Sequence, residues 1–191
     1  MANEDERRLN ALRKRATRIT PIAAAKAAFL LLLLAYLLWG LRALVRKQAL
    51  DAREQVVCRS HLIDLWRGMQ MYAMDWGDRL PPAHRWCDAL TPPIYPPKSE
   101  TFRCPAVTRD TPSDYAMNTD FSATSIERVP RPHESILLYD SAAARWNASD
   151  ALTSLPRPPR HPSGNNCAMA DGAIKWVTEV RDISATNRQY D

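Results

Sequence analysis

The chain has little glycine, histidine or phenylalanine: five, four and three of them in 191 residues. With glycine this scarce and no Gly-x-Ser-x-Gly, the strained turn that presents a hydrolase serine is absent. No Cys-x-x-Cys or His-x-x-x-His spacing occurs, so the usual local zinc patterns are missing too. No cysteine precedes Cys58, and none ends the apolar run where a lipid could be attached. No proline falls between Pro21 and Pro81. That last absence matters most, because a helix can run through the whole interval without losing a hydrogen bond.

Two kinds of pattern fill the interval. From Ile22 to Val45 it is almost uniformly apolar, with the block Ala27 to Leu41 bracketed by Lys26 and Arg42. At about 1.5 Å per residue, roughly 24 helical residues cross a hydrocarbon core of about 30 Å, and flanking Lys and Arg can reach the headgroups. Further on, Cys58, Leu62, Leu65, Met69, Tyr72 and Trp76 recur at steps of four and three, while Arg59, Asp64, Arg67 and Asp75 fall on other faces. This predicts an amphipathic continuation of the same helix, stopped by Gly77 and Pro81-Pro82, with a total length of about 80 Å. Trp39-Gly40-Leu41-Arg42 offers no small-x-small cleavage site, so the apolar segment is expected to remain as an anchor. Tyr36 and Trp39 are read as lipid-facing or helix-packing residues.

Charge gives the orientation. Residues 1 to 47 hold ten Lys/Arg against three Asp/Glu, and residues 48 to 191 hold sixteen against eighteen. The basicity behind the pI of 9.2 is thus confined to the N-terminal flank. By the positive-inside rule that flank is cytoplasmic, in the inner (cytoplasmic) membrane, and the rest is periplasmic or extracellular. A nucleic-acid partner is excluded, since the exported part has no basic excess to neutralise phosphates. The four expected regions are a cytosolic basic tail (1–20), a transmembrane helix (21–46), its extracytoplasmic amphipathic continuation (47–77) and a small loop-rich β domain (78–191).

Within the last region, most of the fifteen prolines fall between Pro81 and Pro162. Trp86 to Leu90 predicts a short helical turn, and Thr101 to Pro105 an extended piece. Ser135 to Asp140 predicts a strand, and residues 142 to 160 a surface loop. Asn165 to Ala170, Asp171-Gly172 and Ala173 to Val177 predict a hairpin closed by a tight primed turn. The residues after Thr178 carry no strong signal. Cys58, Cys87, Cys104 and Cys167 all lie beyond the membrane segment, an even number that allows two bridges in any of three pairings. Four buried thiols are the competing reading.

A set of short motifs recurs in a fixed order: Cys58 to Leu62 continuing to Met71-Tyr72-Ala73-Met74-Asp75, Arg79-Leu80-Pro81-Pro82, Phe102 to Pro105, Tyr115 to Asn118, and Ile136 to Ser141. Arg160-His161, nine residues, Asp171-Gly172 and Lys175-Trp176-Val177 complete it. Together with the long N-terminal helix, this order resembles the type IV pilin-like (pseudopilin-like) proteins of the bacterial family named for a C-terminal His, nine residues, Asp-Gly motif. The resemblance implies an α+β fold in which a long helix, transmembrane and then amphipathic, packs on a small antiparallel sheet. It implies a non-enzymatic structural or assembly component of a secretion or pilus-type system, with the lipid bilayer and other pilin-like or membrane assembly subunits as partners. It also favours a Cys58–Cys104 bridge, leaving Cys87 with Cys167. The front of the chain departs from the family. No Gly precedes the apolar run and no acidic residue lies between Ile22 and Leu50, so a prepilin peptidase finds no recognisable site, and Ala173 stands where the family often has His.

Candidate sites follow from the same residues. His161, Asp171 and Gly172 carry the motif, and with Asn118 and Asp140 the first two could supply ligands for Ca²⁺ or another metal. The structural alternative makes Asp171 a turn residue and His161 a link from loop to hairpin. Asp140, Ser141 and His161 could be assembled into a Ser/His/Asp set, although no elbow supports it. His61, His84 and His133 are read as solvated or capping, and Trp66, Trp76, Trp86 and Trp176 as core aromatics. The alternatives to an assembly subunit are a free-standing membrane-anchored extracytoplasmic binding module, displaying residues 105–134 and 142–160, and a metal-dependent enzyme.

Overall fold

A computed structural model describes residues 6–7, 21–91 and 99–178. The expected basic tail, apart from residues 6–7, and the residues after 178 lie outside the described set. Two compact units are distinguished, one ending at Gln48 and one beginning at Ala49.

Helix α1 runs from Pro21 to Asp75. In the first unit its apolar side chains, from Ile22 through Phe29, Leu30 to Leu34 and Trp39, are exposed. This stretch is long and apolar enough to cross a membrane.

In the second unit α1 buries one face: Cys58, Leu62, Leu65, Met69 and Ala73. The expected stripe reached Tyr72 and Trp76, but the buried line ends earlier. Trp76 is 64% exposed and stacks on Tyr72 at 5.4 Å. Helical geometry stops at Asp75 because Gly77 and Asp78 take positive φ, and the Asp78 N–H donates to Ala73 O at 2.8 Å. This back-bonded end satisfies carbonyls that a simple fray would leave to water.

Among the described residues five strands form the sheet that packs on that face: β1 (Tyr115–Asn118), β2 (Ile136–Asp140), β3 (Ser149–Asp150), β4 (Asn165–Met169) and β5 (Ile174–Val177). Their order is β3-β1-β2-β4-β5. The sheet is mixed rather than antiparallel, since β3 runs parallel to β1 with Met117 opposite Ser149. The cause lies in residues 142–160, expected as a surface loop. Ala148 and Leu155 are buried there, and Tyr139 donates its hydroxyl to Asp150 Oδ1 at 2.6 Å, drawing the segment onto the sheet edge.

Period-two alternation separates two cores. Tyr115, Met117, Leu138 and Ala168 face the cluster that holds Cys58, Leu62 and Leu65. Ala116, Tyr139, Cys167, Met169 and Val177 line a second cluster. A register irregularity between Ile136 and Leu138 lets Leu137 join Leu138 in the first. Cys87 belongs to the first core and Cys167 to the second. The expectation of two bridges is therefore corrected: Cys58 is joined to Cys104, while Cys87 and Cys167 are free and buried on different sides of the sheet.

Smaller elements also depart from expectation. Helix α2 (Trp86–Leu90) forms where predicted, with its Cys87 N–H held by Asn147 Oδ1 at 2.8 Å. Of the piece expected as extended, Thr101 to Pro105, the first two residues belong to a 3-10 turn (Glu100–Phe102) capped by Ser99, and Arg103 after it is extended. The β4–β5 hairpin closes through three residues rather than two. Met169 N–H donates to Ala173 O at 2.8 Å, and only Gly172 in the loop has positive φ. A Cβ on Gly172 would lie 2.9 Å from the Trp66 ring, and Trp66 Nε1 donates to Ala170 O at 3.1 Å. The glycine of the Asp-Gly pair thus serves the docking of α1 as well as the turn. Trp86 is fully buried, but Trp176 is 56% exposed, so it and Trp76 are not core residues.

Candidate functional site

The structure gathers buried polar groups at the end of β2. Asp140 has no solvent exposure, Asp114 has 1% and His161 4%. The chain delivers them by register. Tyr115 pairs with Asp140 across β1 and β2, which puts Asp114 at the same sheet end, and His161 lies four residues before β4. A bridge between His161 and Gly164 holds that approach, with Gly164 at φ +128 and only 3.2 Å available between a Cβ there and Val177 O.

Arg160 is the counter-ion of the buried Asp140. Its Nη1 donates to Asp114 O at 2.9 Å and to Asp140 Oδ1 at 3.4 Å, and its Nη2 donates to Ser141 O. Asp140 Oδ2 accepts the Asn166 N–H at 2.7 Å. Asp114 is fixed separately, Oδ2 accepting Cys104 N–H at 2.9 Å and Oδ1 accepting the Thr111 hydroxyl at 2.7 Å. Burial pushes the Asp140 carboxyl up to about 6, and the Arg160 guanidinium opposes that rise. Burial, with Arg160 adding to it, pushes His161 down to about 4, so its imidazole is uncharged at neutral pH.

His161 Nε2 lies between two acceptors, Asp140 Oδ2 at 3.6 Å and Cys104 Sγ at 3.6 Å. The first distance is too long for a hydrogen bond, and a neutral imidazole makes it no ion pair. Cys104 is tied to Cys58 on α1, with Cα atoms 5.3 Å apart. His61 adds a second tie, its Nδ1 lying 2.7 Å from Arg103 O, so it is an internal hydrogen-bonding group rather than a solvated one.

Of the expected ligand set, Asp140 and His161 come together and the others do not. Asn118 is three residues along β1 from the partner of Asp140, about 10 Å away at strand rise. Its Nδ2 donates to Ile136 O and its Oδ1 accepts Asp120 N–H, each at 3.1 Å. Asp171 is exposed in the hairpin loop, accepting Ala173 N–H at 2.9 Å. Ser141 is not presented to His161, since its hydroxyl pairs with Ser154 Oγ at 2.7 Å and accepts Ala143 N–H. The sequence reading missed Arg160 as the counter-ion, along with Asp114, Asn166 and the contact of His161 with Cys104. One signal was present: Arg160 directly precedes the motif His, and an aspartate ending an apolar strand needs a cation if it is buried.

Fold and cluster together define an α+β protein with a long apolar N-terminal helix and a disulfide-tied domain. Comparisons with protein-family models, with curated proteins and with solved structures found no match.

Proposed function

We propose that the chain is a membrane-anchored, pilin-like structural or assembly subunit of a secretion or pilus-type system, with its C-terminal domain outside the cytoplasmic membrane. One observation carries the reading. A single helix, α1, has an apolar first part whose large apolar side chains are exposed among the described residues and a second part whose buried face packs against the sheet domain. The motif order from Cys58 to Val177 and the cytoplasmic charge bias support the same reading. Because α1 has no acidic residue from Ile22 to Leu50, lateral contacts in the bilayer would rest on apolar packing with Lys26 and Arg42 at the edges.

The test is cross-linking in intact cells followed by purification of the full chain in mild detergent. Recovery with other pilin-like subunits, an assembly ATPase or a polytopic platform protein is the expected result. A monomer that brings down one extracytoplasmic ligand and none of these would replace the assembly role with that of a binding module.

A further inference from the structure

The end of α1 borders a groove of about 480 Å³ whose walls include Tyr72, Trp76, Arg79, Leu80, Pro82 and Arg85. The indole of Trp76 is exposed there and stacks on Tyr72, the two ring planes 8° apart. A groove of this size, mostly apolar with a few charged groups at its rim, has the make-up of a ligand site. We propose that it binds an acidic saccharide, with Trp76 as the platform for a sugar ring and Arg79 and Arg85 as the partners of its carboxylates.

Charge sets the sign of the ligand. Arg79 and Arg85 are exposed, and neither is in an ion pair among the described residues. Arg79 Nη1 donates to Ala123 O at 3.2 Å, which holds the guanidinium at the groove while its other N–H groups stay available. The acidic group in the wall is Asp88, and both of its oxygens are engaged. Oδ1 accepts the Trp146 indole N–H and Oδ2 accepts the Asn147 amide, each at 2.6 Å. Two cations against one occupied carboxylate leave the groove complementary to an anion.

The backbone of the same wall separates a saccharide from an extended peptide. A peptide that adds as a strand needs free N–H donors along an edge. Leu80 N–H already donates to Thr124 O at 2.9 Å, and Ala83 N–H to Ser122 Oγ at 3.0 Å. Between them Pro81 and Pro82 have no N–H to give. Ala123 N–H and Ile126 N–H donate in turn to Pro81 O and Asp78 O, so the wall is pinned before any ligand arrives and little ordering cost remains. What the groove offers is ring surface and guanidinium. The C–H face of a pyranose packs on an indole, and a uronic carboxylate meets a guanidinium through paired N–H bonds.

The ligand is a chain of sugars rather than one. A second groove of about 530 Å³ shares Asp88 and Thr91 with the first and has Trp146 in its wall. Linked rings can reach both aromatic surfaces, whereas a single ring reaches one. This inference does not depend on the assembly role.

The experiment is calorimetric titration of the full chain in detergent, at low salt, with tetragalacturonate and with a hyaluronan hexasaccharide. At least one of the two should bind at one site per chain, and high salt should weaken it several-fold. The methyl-esterified form of that saccharide, which keeps the rings and loses the charge, should bind at least about tenfold more weakly. Trp76→Ala and, separately, Arg85→Gln should each weaken binding at least about tenfold. Both side chains are exposed, so the urea midpoint of each variant should match that of the parent chain. Galacturonate monomer should bind more weakly than the tetramer, and a hexaglutamate peptide more weakly than the saccharide. No binding by either saccharide, equal binding by the methyl ester or the monomer, or full affinity in either variant overturns the proposal. Tighter binding of hexaglutamate overturns it in favour of an acidic-peptide site.

Discussion

The Cys58–Cys104 bridge offers the sharpest test of how the domain is tied to its helix. It closes a loop with a sequence separation of 46 residues, from the buried face of α1 to the segment beneath the sheet end. In the chain-entropy account, a loop of that size removes about 4 kcal/mol of conformational freedom from the unfolded state. Cys58→Ala with Cys104→Ala should therefore lower the unfolding free energy by about 4 kcal/mol. With a urea slope of about 2 kcal/mol per molar, the midpoint moves down by about 2 M. The assay is equilibrium urea unfolding of the full chain in detergent with a chelator present, followed by tryptophan fluorescence. Cys87→Ala is the control, because Cys87 is equally buried but unbridged and its loss removes only packing and a weak N–H···S bond from Asn147, about 1 kcal/mol. A double variant whose midpoint falls no further than that of Cys87→Ala would refute the reasoning, since the cross-link would then contribute nothing beyond two buried sulfurs.

Other expectations follow from the same geometry. Arg160→Met should destabilise the domain by about 3 to 5 kcal/mol, because it leaves Asp140 buried without its cation, and adding Asp140→Asn should recover part of that loss in the same unfolding assay. Gly172→Ala combines a positive φ with contact against the Trp66 ring and should cost about 2 to 3 kcal/mol, while Asp171→Ala, exposed in the same loop, should cost under about 1 kcal/mol. Thiol counting should find two labels per oxidised chain after denaturation and none before it. Burial raises the Cys87 thiol far above its ordinary range, so its native labelling rate should stay flat between about pH 7 and 9, where a solvated thiol speeds up with its thiolate fraction.

Local pattern carried some elements and failed for others, for identifiable reasons. Helix α1 was legible because no proline interrupts it and because Cys58, Leu62, Leu65 and Met69 keep a helical period. Strands β2, β4 and β5 were legible as short apolar runs around turn formers. Strand β3 was not, because Ser149 and Asp150 have no strand character of their own and are held by Tyr139 and by pairing with Met117 and Asn118 of β1. The free state of Cys87 and Cys167 depends on which face of the sheet each occupies, and that is fixed by register. For the site, the motif gave His161 and the strand end gave Asp140. Asp114, Arg160 and Cys104 joined them only through tertiary placement, and the oxygen-rich set with Asn118 and Asp171 failed because both side chains are spent on nearby backbone.

The central claim is that α1 keeps its apolar half in a membrane while its other half carries the disulfide-tied domain. The most direct measurement is the intact mass of the protein recovered from carbonate-washed membranes of cells expressing the full chain. The account predicts that the protein stays in the pellet, retains residues 21 to 46, and weighs about 2 Da less than the fully reduced chain. Recovery in the soluble fraction as a shorter species that has lost the apolar run would show a signal sequence in place of an anchor and contradict it.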